Sequence, residues 1–151
     1  MENPQLPPDF KEFLHFCLDR EVRFLVIGGM AVIHYGYPRL TLDLDLWIEP
    51  TEKNGKKIIE ALKDFGFKNP EVTPQYFCKE RQILRMGFKP AVIELFSTIP
   101  GVIFEECYPR HMTVAIDGRQ VPFIGLEDLR KNKAASGRTK DLLDLEELPE
   151  P

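Results

Sequence analysis

The sequence predicts an α+β fold in which helices pack on a mixed β-sheet. Three observations point there. Apolar spacing switches between helical and strand periods along the 151 residues. Prolines such as Pro7, Pro8, Pro38, Pro50, Pro90 and Pro109 fall near element ends and not in one tract. The resulting order is helix, strand, helix, strand, helix, several strands and two helices, which suits a sheet covered by helices.

Each element has its own signal. Pro8 and Asp9 precede Phe10, Phe13, Leu14, Cys17 and Leu18 at helical spacing, with Asp9 as the expected N-cap. Val22 to Ile27 is apolar except for Arg23 and reads as a buried strand ending at Gly28-Gly29. Met30 to Tyr35 reads as a short helix closed near Gly36. Leu40 to Ile48 is the clearest strand. Leu40, Leu42, Leu44, Leu46 and Ile48 share one face, and Thr41, Asp43, Asp45 and Trp47 share the other. Thr51 caps a helix running to Phe65, which Gly66 ends. Gln82 to Phe88 and Ala91 to Phe96 read as strands joined by a tight turn at Lys89-Pro90. Met112 to Ile116 and Gln120 to Phe123 flank Asp117-Gly118, a hairpin signal. Leu126 to Leu148 is helical, with a break expected at Ser136-Gly137.

The length favours a single domain spanning 1–151, with no repeat, low-complexity tract or internal linker. A formal net charge of -4 disfavours non-specific nucleic-acid binding, which depends on neutralising phosphates. Cys17, Cys78 and Cys107 are odd in number and lack zinc spacing, so they read as buried or idle thiols in a reducing compartment. Met1 to Phe10 has no apolar signal core, and no run approaches the roughly 18 apolar residues of a membrane span. The expectation is a cytoplasmic protein with no membrane partner.

Asp43 and Asp45 point the same way from one strand, with Cα atoms about 6–7 Å apart by strand rise. Like charges that close repel, and aspartate is depleted in strands. A hard divalent cation would neutralise the pair, and magnesium is commonly held by one or two carboxylates plus phosphates. The plain alternative is a solvent-facing strand with two incidental acids. Gly28-Gly29 ends a buried strand ahead of a helix, where the backbone can approach a phosphate, or simply makes a tight turn. Neither a Walker lysine motif nor a full dinucleotide glycine motif is present. Glu94, between Ile93 and Leu95, is a costly charge unless exposed, paired or metal-bound; a salt bridge to Arg85 is the alternative.

Together these residues resemble the DNA polymerase beta-type nucleotidyltransferases. The pattern is Ile27-Gly28-Gly29, a spacer over 30–42, Asp43-Leu44-Asp45-Leu46, and Ile93-Glu94-Leu95. The stretch from Gly28 through Tyr35-Gly36-Tyr37-Pro38-Arg39 to Thr41 and Asp45 looks more narrowly like the small bacterial AbiEii-type enzymes. Lys133, Arg138, Lys140, Asp141 and Asp144 look like that group's C-terminal lysine-rich motif. The resemblance implies a polymerase beta-like fold and transfer of a nucleoside monophosphate from an NTP to an acceptor. It implies Asp43, Asp45 and Glu94 as metal ligands for two magnesium ions, with manganese as the alternative. It also implies Gly28, Gly29, Arg39, Thr41, Lys133 and Lys140 at the nucleotide. The acceptor is left open among RNA, protein and a small molecule. The third carboxylate is more familiar as Asp; Glu94 is one methylene longer. With no room for a separate substrate domain, recognition calls for a partner protein or a small acceptor. A toxin–antitoxin or defence setting is one implied role, and a catalytically reduced nucleotide- or partner-binding module is another.

The basic C-terminal residues could instead be a solvated helix face paired with Glu127, Asp128, Asp141 and Asp144. Arg39 could pair with a local acid. His15 reads as core, His34 follows the glycine turn and is a weak candidate to approach the site, and His111 carries no pattern. Tyr35, Tyr37 and Trp47 are candidates for base stacking, Trp47 foremost because it shares a face with the aspartates, although simple packing is the commoner fate.

Overall fold

The computed structural model describes residues 6–37, 43–88 and 91–151. Helix α1 spans Pro8–Asp19, strand β1 Phe24–Ile27 and helix α2 Gly28–His34. Strand β2 (Asp43–Ile48) is followed by helix α3 (Glu52–Phe65). Strands β3 (Ile83–Phe88) and β4 (Ala91–Phe96) come next, then the short helix α4 (Phe104–Cys107). Strands β5 (Met112–Ile116) and β6 (Arg119–Phe123) precede helices α5 (Leu126–Ser136) and α6 (Thr139–Glu147). Single 3-10 turns lie at Tyr76–Cys78 and Tyr108–Arg110.

The six strands form one mixed sheet in the order β3-β4-β2-β1-β6-β5. The pairs β2–β4 and β1–β6 are parallel; β1–β2, β3–β4 and β5–β6 are antiparallel. The architecture is the α+β arrangement of helices on a mixed sheet that the element order predicts. Leu44, Leu46 and Ile48 are buried in the core, as strand alternation requires. Phe10, Phe13, Leu14 and Cys17 form the buried stripe of α1, and the Phe13 ring meets that of Phe65 edge-on at 5.2 Å.

Most boundaries follow their local chemistry. The Thr51 hydroxyl accepts from the Asn54 N–H at 3.2 Å, and Gly66 closes α3 in the left-handed region. Asp117 and Gly118 both adopt positive φ, 50° and 77°, which is what a two-residue hairpin turn of this hand requires. Gly137, at φ 66°, separates α5 from α6.

Four expectations are corrected. Asp9 is not the N-cap of α1: that position is Pro7, Pro8 begins the helix, and Asp9 sits in its first turn. Glu21 turns the chain at φ 56°, so β1 begins at Phe24 and not at Val22. Helix α2 begins at Gly28 itself instead of Met30 and ends at His34. Leu126–Leu148 is not continued helix to its end, because Leu148 is already extended. The expected start of β2 at residues 40–42 and the turn at Lys89-Pro90 lie outside the described residues.

Asn54 and Gly55 have roles that apolar spacing does not show. The buried Asn54 amide accepts from the Arg23 N–H at 2.8 Å and donates to the Arg23 carbonyl at 2.9 Å and the Glu49 carbonyl at 3.1 Å. It thereby ties the start of β1 to the end of β2. A Cβ on Gly55 would stand 1.9 Å from the Pro74 carbonyl oxygen, so only glycine lets that loop close onto α3. Among the described residues, no helix is long and apolar enough to cross a membrane.

Candidate metal and nucleotide site

The site follows from strand register. Arg85, Glu94, Asp45 and Ile27 stand opposite one another across β3, β4, β2 and β1. Side chains opposed in register share a face, so Glu94 projects beside Asp45, and Asp43 joins them two residues along β2. Each of Asp43, Asp45 and Glu94 offers one carboxylate oxygen within 4.8 Å of the others, and all three are half-buried.

Electrostatics mark this cluster as unbalanced. Burial, the charges of Glu94 and Asp43 and a hydrogen bond with Glu94 push the Asp45 carboxyl up to about 7, against a smaller opposing pull from Lys140. Asp45 Oδ1 is buried and has no hydrogen-bond partner among the described residues. A buried carboxylate oxygen with no donor is costly. Three hard oxygen donors with one left unsatisfied are the ligand chemistry of a divalent cation such as magnesium. Arg85 contacts the cluster from its edge, its Nε 3.5 Å from Glu94 Oε2. Glu94 therefore both joins the carboxylates and meets the arginine that the sequence offered as its alternative partner.

Gly28 adopts φ +67°, and a Cβ built there would lie 2.3 Å from Asp45 Oδ2. The first glycine is thus required for close approach of backbone to carboxylate as well as for the turn. Gly28, Gly29 and Asp45 line a cleft of about 980 Å³, together with Lys133, Arg138 and Lys140. Lys133 is 4% exposed, and its ammonium lies 3.1 Å from both Asp141 Oδ1 and Asp144 Oδ2. Asp141 also accepts from Arg138 Nε at 2.6 Å and, through a short hydrogen bond, from the Ser136 hydroxyl. Lys140 lines the cleft, and its charge reaches Asp45. Arg39 and Thr41 lie outside the described residues.

The ring candidates are committed to packing. Trp47 is buried, donates its indole N–H to the Ser97 carbonyl at 3.3 Å and meets Phe104 edge-on. The Tyr35 hydroxyl donates to the Ile124 carbonyl, and His34 lies against Tyr35 and Phe123. Sequence patterns did not reveal the wall formed by Glu80, Arg81 and residues 97–100 and 102–105. Loop residues brought to a cleft by tertiary folding leave no periodic signal.

No family model matches the sequence, and no curated protein matches it. Solved structures do match its fold. A lincosamide antibiotic adenylyltransferase, LnuA, in its lincomycin-bound form aligns with a TM-score of 0.57 at 14% identity, covering 95% of this chain and 96% of that one. A nucleotidyltransferase from Thermotoga maritima, so described only provisionally, aligns at 0.56 and 15% identity, covering 94% and 93%. The fold is that of the polymerase-beta-like nucleotidyltransferases. At these identities the likeness shows the nucleotidyltransferase fold, and function has to be sought in the site.

Proposed function

We propose that this chain is a metal-dependent nucleotidyltransferase that moves a nucleoside monophosphate from an NTP to an acceptor hydroxyl, releasing pyrophosphate. The observation that carries the reading is the meeting of Asp43, Asp45 and Glu94 beside the side-chain-free Gly28. Asp43 and Asp45 would hold one ion and share a second with Glu94. Magnesium or manganese bound there supplies charge neutralisation for the phosphates and lowers the pKa of the acceptor hydroxyl.

The remaining work falls to the chain. Gly28 and Gly29 present bare backbone to the phosphates. Lys140 and Arg138 add positive charge along the same cleft, and Arg39, Thr41 and Lys133 belong to the proposed nucleotide set. The adenylyltransferase named among the fold neighbours supports a nucleoside triphosphate as donor. The motif residues over 28–45 and 133–144 favour an AbiEii-like position and a setting in a toxin–antitoxin or defence system. Cys17, Cys78 and Cys107 are free thiols, which supports a cytoplasmic setting. The chain is taken to act as one domain, with RNA, protein and small molecules as acceptor classes.

A specific contact favours a second reading. Arg85 already occupies one side of Glu94, which would suit a nucleotide-binding module with reduced catalysis. Calorimetry with ATP, GTP, CTP and UTP, with and without magnesium, paired with a labelled-NTP transfer assay, separates the two. The enzyme transfers label and the module only binds. Asp43→Ala is expected to abolish transfer with the fold retained; an active variant would overturn the enzymatic reading.

A further inference from the structure

The sheet face that carries the carboxylates continues past them. Ile83, Phe96 and Trp47 are register partners across β3, β4 and β2. They stand one pleat beyond Arg85, Glu94 and Asp45, about 7 Å along the strands. This second row is apolar and lines the same cleft, joined by Ile103 from the segment before α4. Ile83 is 52% exposed and Ile103 57% exposed, so two branched aliphatic side chains stand uncovered there.

The apolar row and the glycine turn lie on opposite sides of Asp45. Strand β1 runs antiparallel to β2 with Ile27 opposite Asp45, so Gly28-Gly29 continues toward Asp43. Trp47 and Phe96 lie the other way. In-line phosphoryl transfer puts the attacking and leaving oxygens on opposite sides of phosphorus. With the phosphates on the glycine side, an acceptor arrives over the apolar row. A cleft of about 980 Å³ sits at the top of the range for single-ligand pockets, so a nucleotide leaves space for a second compact molecule.

We infer that Ile83, Phe96 and Ile103 form the acceptor subsite, and that the acceptor is a small hydroxyl-bearing molecule with an apolar face; this rests on the nucleotidyltransferase reading above. Nucleic acid fits this row poorly. A polyanion needs neutralising Lys and Arg, whereas Glu80 and Glu105 outnumber Arg81 at this part of the cleft. Bases stack on broad exposed aromatic planes, whereas Trp47 is buried, Phe96 is partly buried, and the most exposed side chains of the row, Ile83 and Ile103, are aliphatic.

The test uses the full chain with α-labelled ATP, GTP, CTP and UTP, magnesium, and a cell extract separated by ultrafiltration into small-molecule and macromolecular fractions. A new labelled species, separable by chromatography from NTP, NDP and NMP, is expected in the small-molecule fraction. The double variant Ile83→Ser/Ile103→Ser alters only exposed positions and is expected to cut transfer by about ten-fold or more. Its binding of the α,β-methylene analogue of the donor nucleotide should be unchanged. Label in RNA or protein overturns the inference, as does undiminished transfer by the double variant. Weakened nucleotide binding by that variant assigns the row to the nucleobase and also overturns it. Transfer of label that goes to a macromolecule, or that the double variant leaves undiminished, overturns the acceptor subsite alone, whereas nucleotide binding without any labelled product removes the enzymatic reading on which the subsite rests.

Discussion

Gly28 and Asp45 are packed so closely that the space a Cβ would take at residue 28 is already filled by Oδ2 of Asp45. Backbone from β1 and carboxylate from β2 thus fix one another's position. Gly28→Ala meets two obstacles, the left-handed φ of +67° and the 2.3 Å approach to Asp45 Oδ2. The backbone conformation alone costs roughly 1–2 kcal/mol. The larger effect is expected on the site, because the carboxylate must move. Manganese affinity, followed by electron paramagnetic resonance, should fall by about ten-fold or more, and Gly29→Ala should do much less. Equal metal affinity in Gly28→Ala and the native chain would show that the contact does not position Asp45.

The crowding of Asp45 also sets a pH dependence. Its folded-state carboxyl titrates at about 7, raised from 3.8 by burial first and then by Glu94 and Asp43. A raised carboxyl binds its proton more tightly in the folded chain than in the unfolded one. Stability is therefore greatest below about pH 4 for this group and is lost as pH rises toward 7. In chelator, the thermal midpoint of Asp45→Asn should lack this component, and the native chain should lose several degrees relative to it between pH 4 and 7. Magnesium or manganese should reverse the trend at neutral pH, since bound cation favours the ionised carboxylate. Parallel melting profiles for the native chain and the Asp45→Asn variant, with and without metal, would contradict this account.

The contacts that Lys133, Ser136 and Arg138 make with the buried Asp141, at the α5–α6 corner, are expected to stabilise the fold. Burial opposes the Asp141 charge, but bonds from Arg138, Ser136 and Lys133 outweigh it and hold the carboxyl well below the usual range. Its contribution is present above the ordinary carboxylate range and fades as pH falls. Asp141→Ala strips partners from Lys133, Arg138 and Ser136 at once and should cost about 3–5 kcal/mol at neutral pH. Urea unfolding at pH 7 and at acid pH measures it. The difference between native and variant should shrink on acidification, and a constant difference would assign the loss to packing alone.

Much of this molecule is legible in its sequence because local chemistry and tertiary position agree. Thr51 and Gly66 bound α3 by capping, Asp117-Gly118 turns the hairpin through positive φ, and Gly137 breaks the last helical stretch. Alternation along Asp43–Ile48 put the aspartates on one face before any register was known. Register supplied what alternation could not, namely that Glu94 stands opposite Asp45. Pairing of the C-terminal basic residues with Asp141 and Asp144 was one of the alternatives in the sequence, but the burial of Lys133 in that pairing and the clasp of Asn54 were not legible, since a lysine or asparagine on a helix reads the same whether it faces water or the interior. The apolar wall at Ile103 was hidden for a related reason: a loop without period gives no face to assign.

Arg85 is expected to compete with cations for Glu94. Its guanidinium lies 3.5 Å from Oε2, yet its side chain is 60% exposed, so the pair is solvent-screened. Such a bridge contributes no more than about 1 kcal/mol to folding, and Arg85→Gln should barely alter the thermal midpoint. Its influence on the carboxylates is more direct, because a positive group beside a ligand oxygen repels an incoming cation and occupies that oxygen. Arg85→Gln should therefore bind manganese a few-fold more tightly, while Glu94→Gln should bind it more weakly. Isothermal titration with manganese, at two salt concentrations, provides the comparison. The gain in Arg85→Gln should narrow at high salt, where the native guanidinium is already screened. If Arg85→Gln instead lowers metal affinity, Arg85 serves to orient Glu94 toward the aspartates, and the pair is part of the site's scaffold and not a competitor for it.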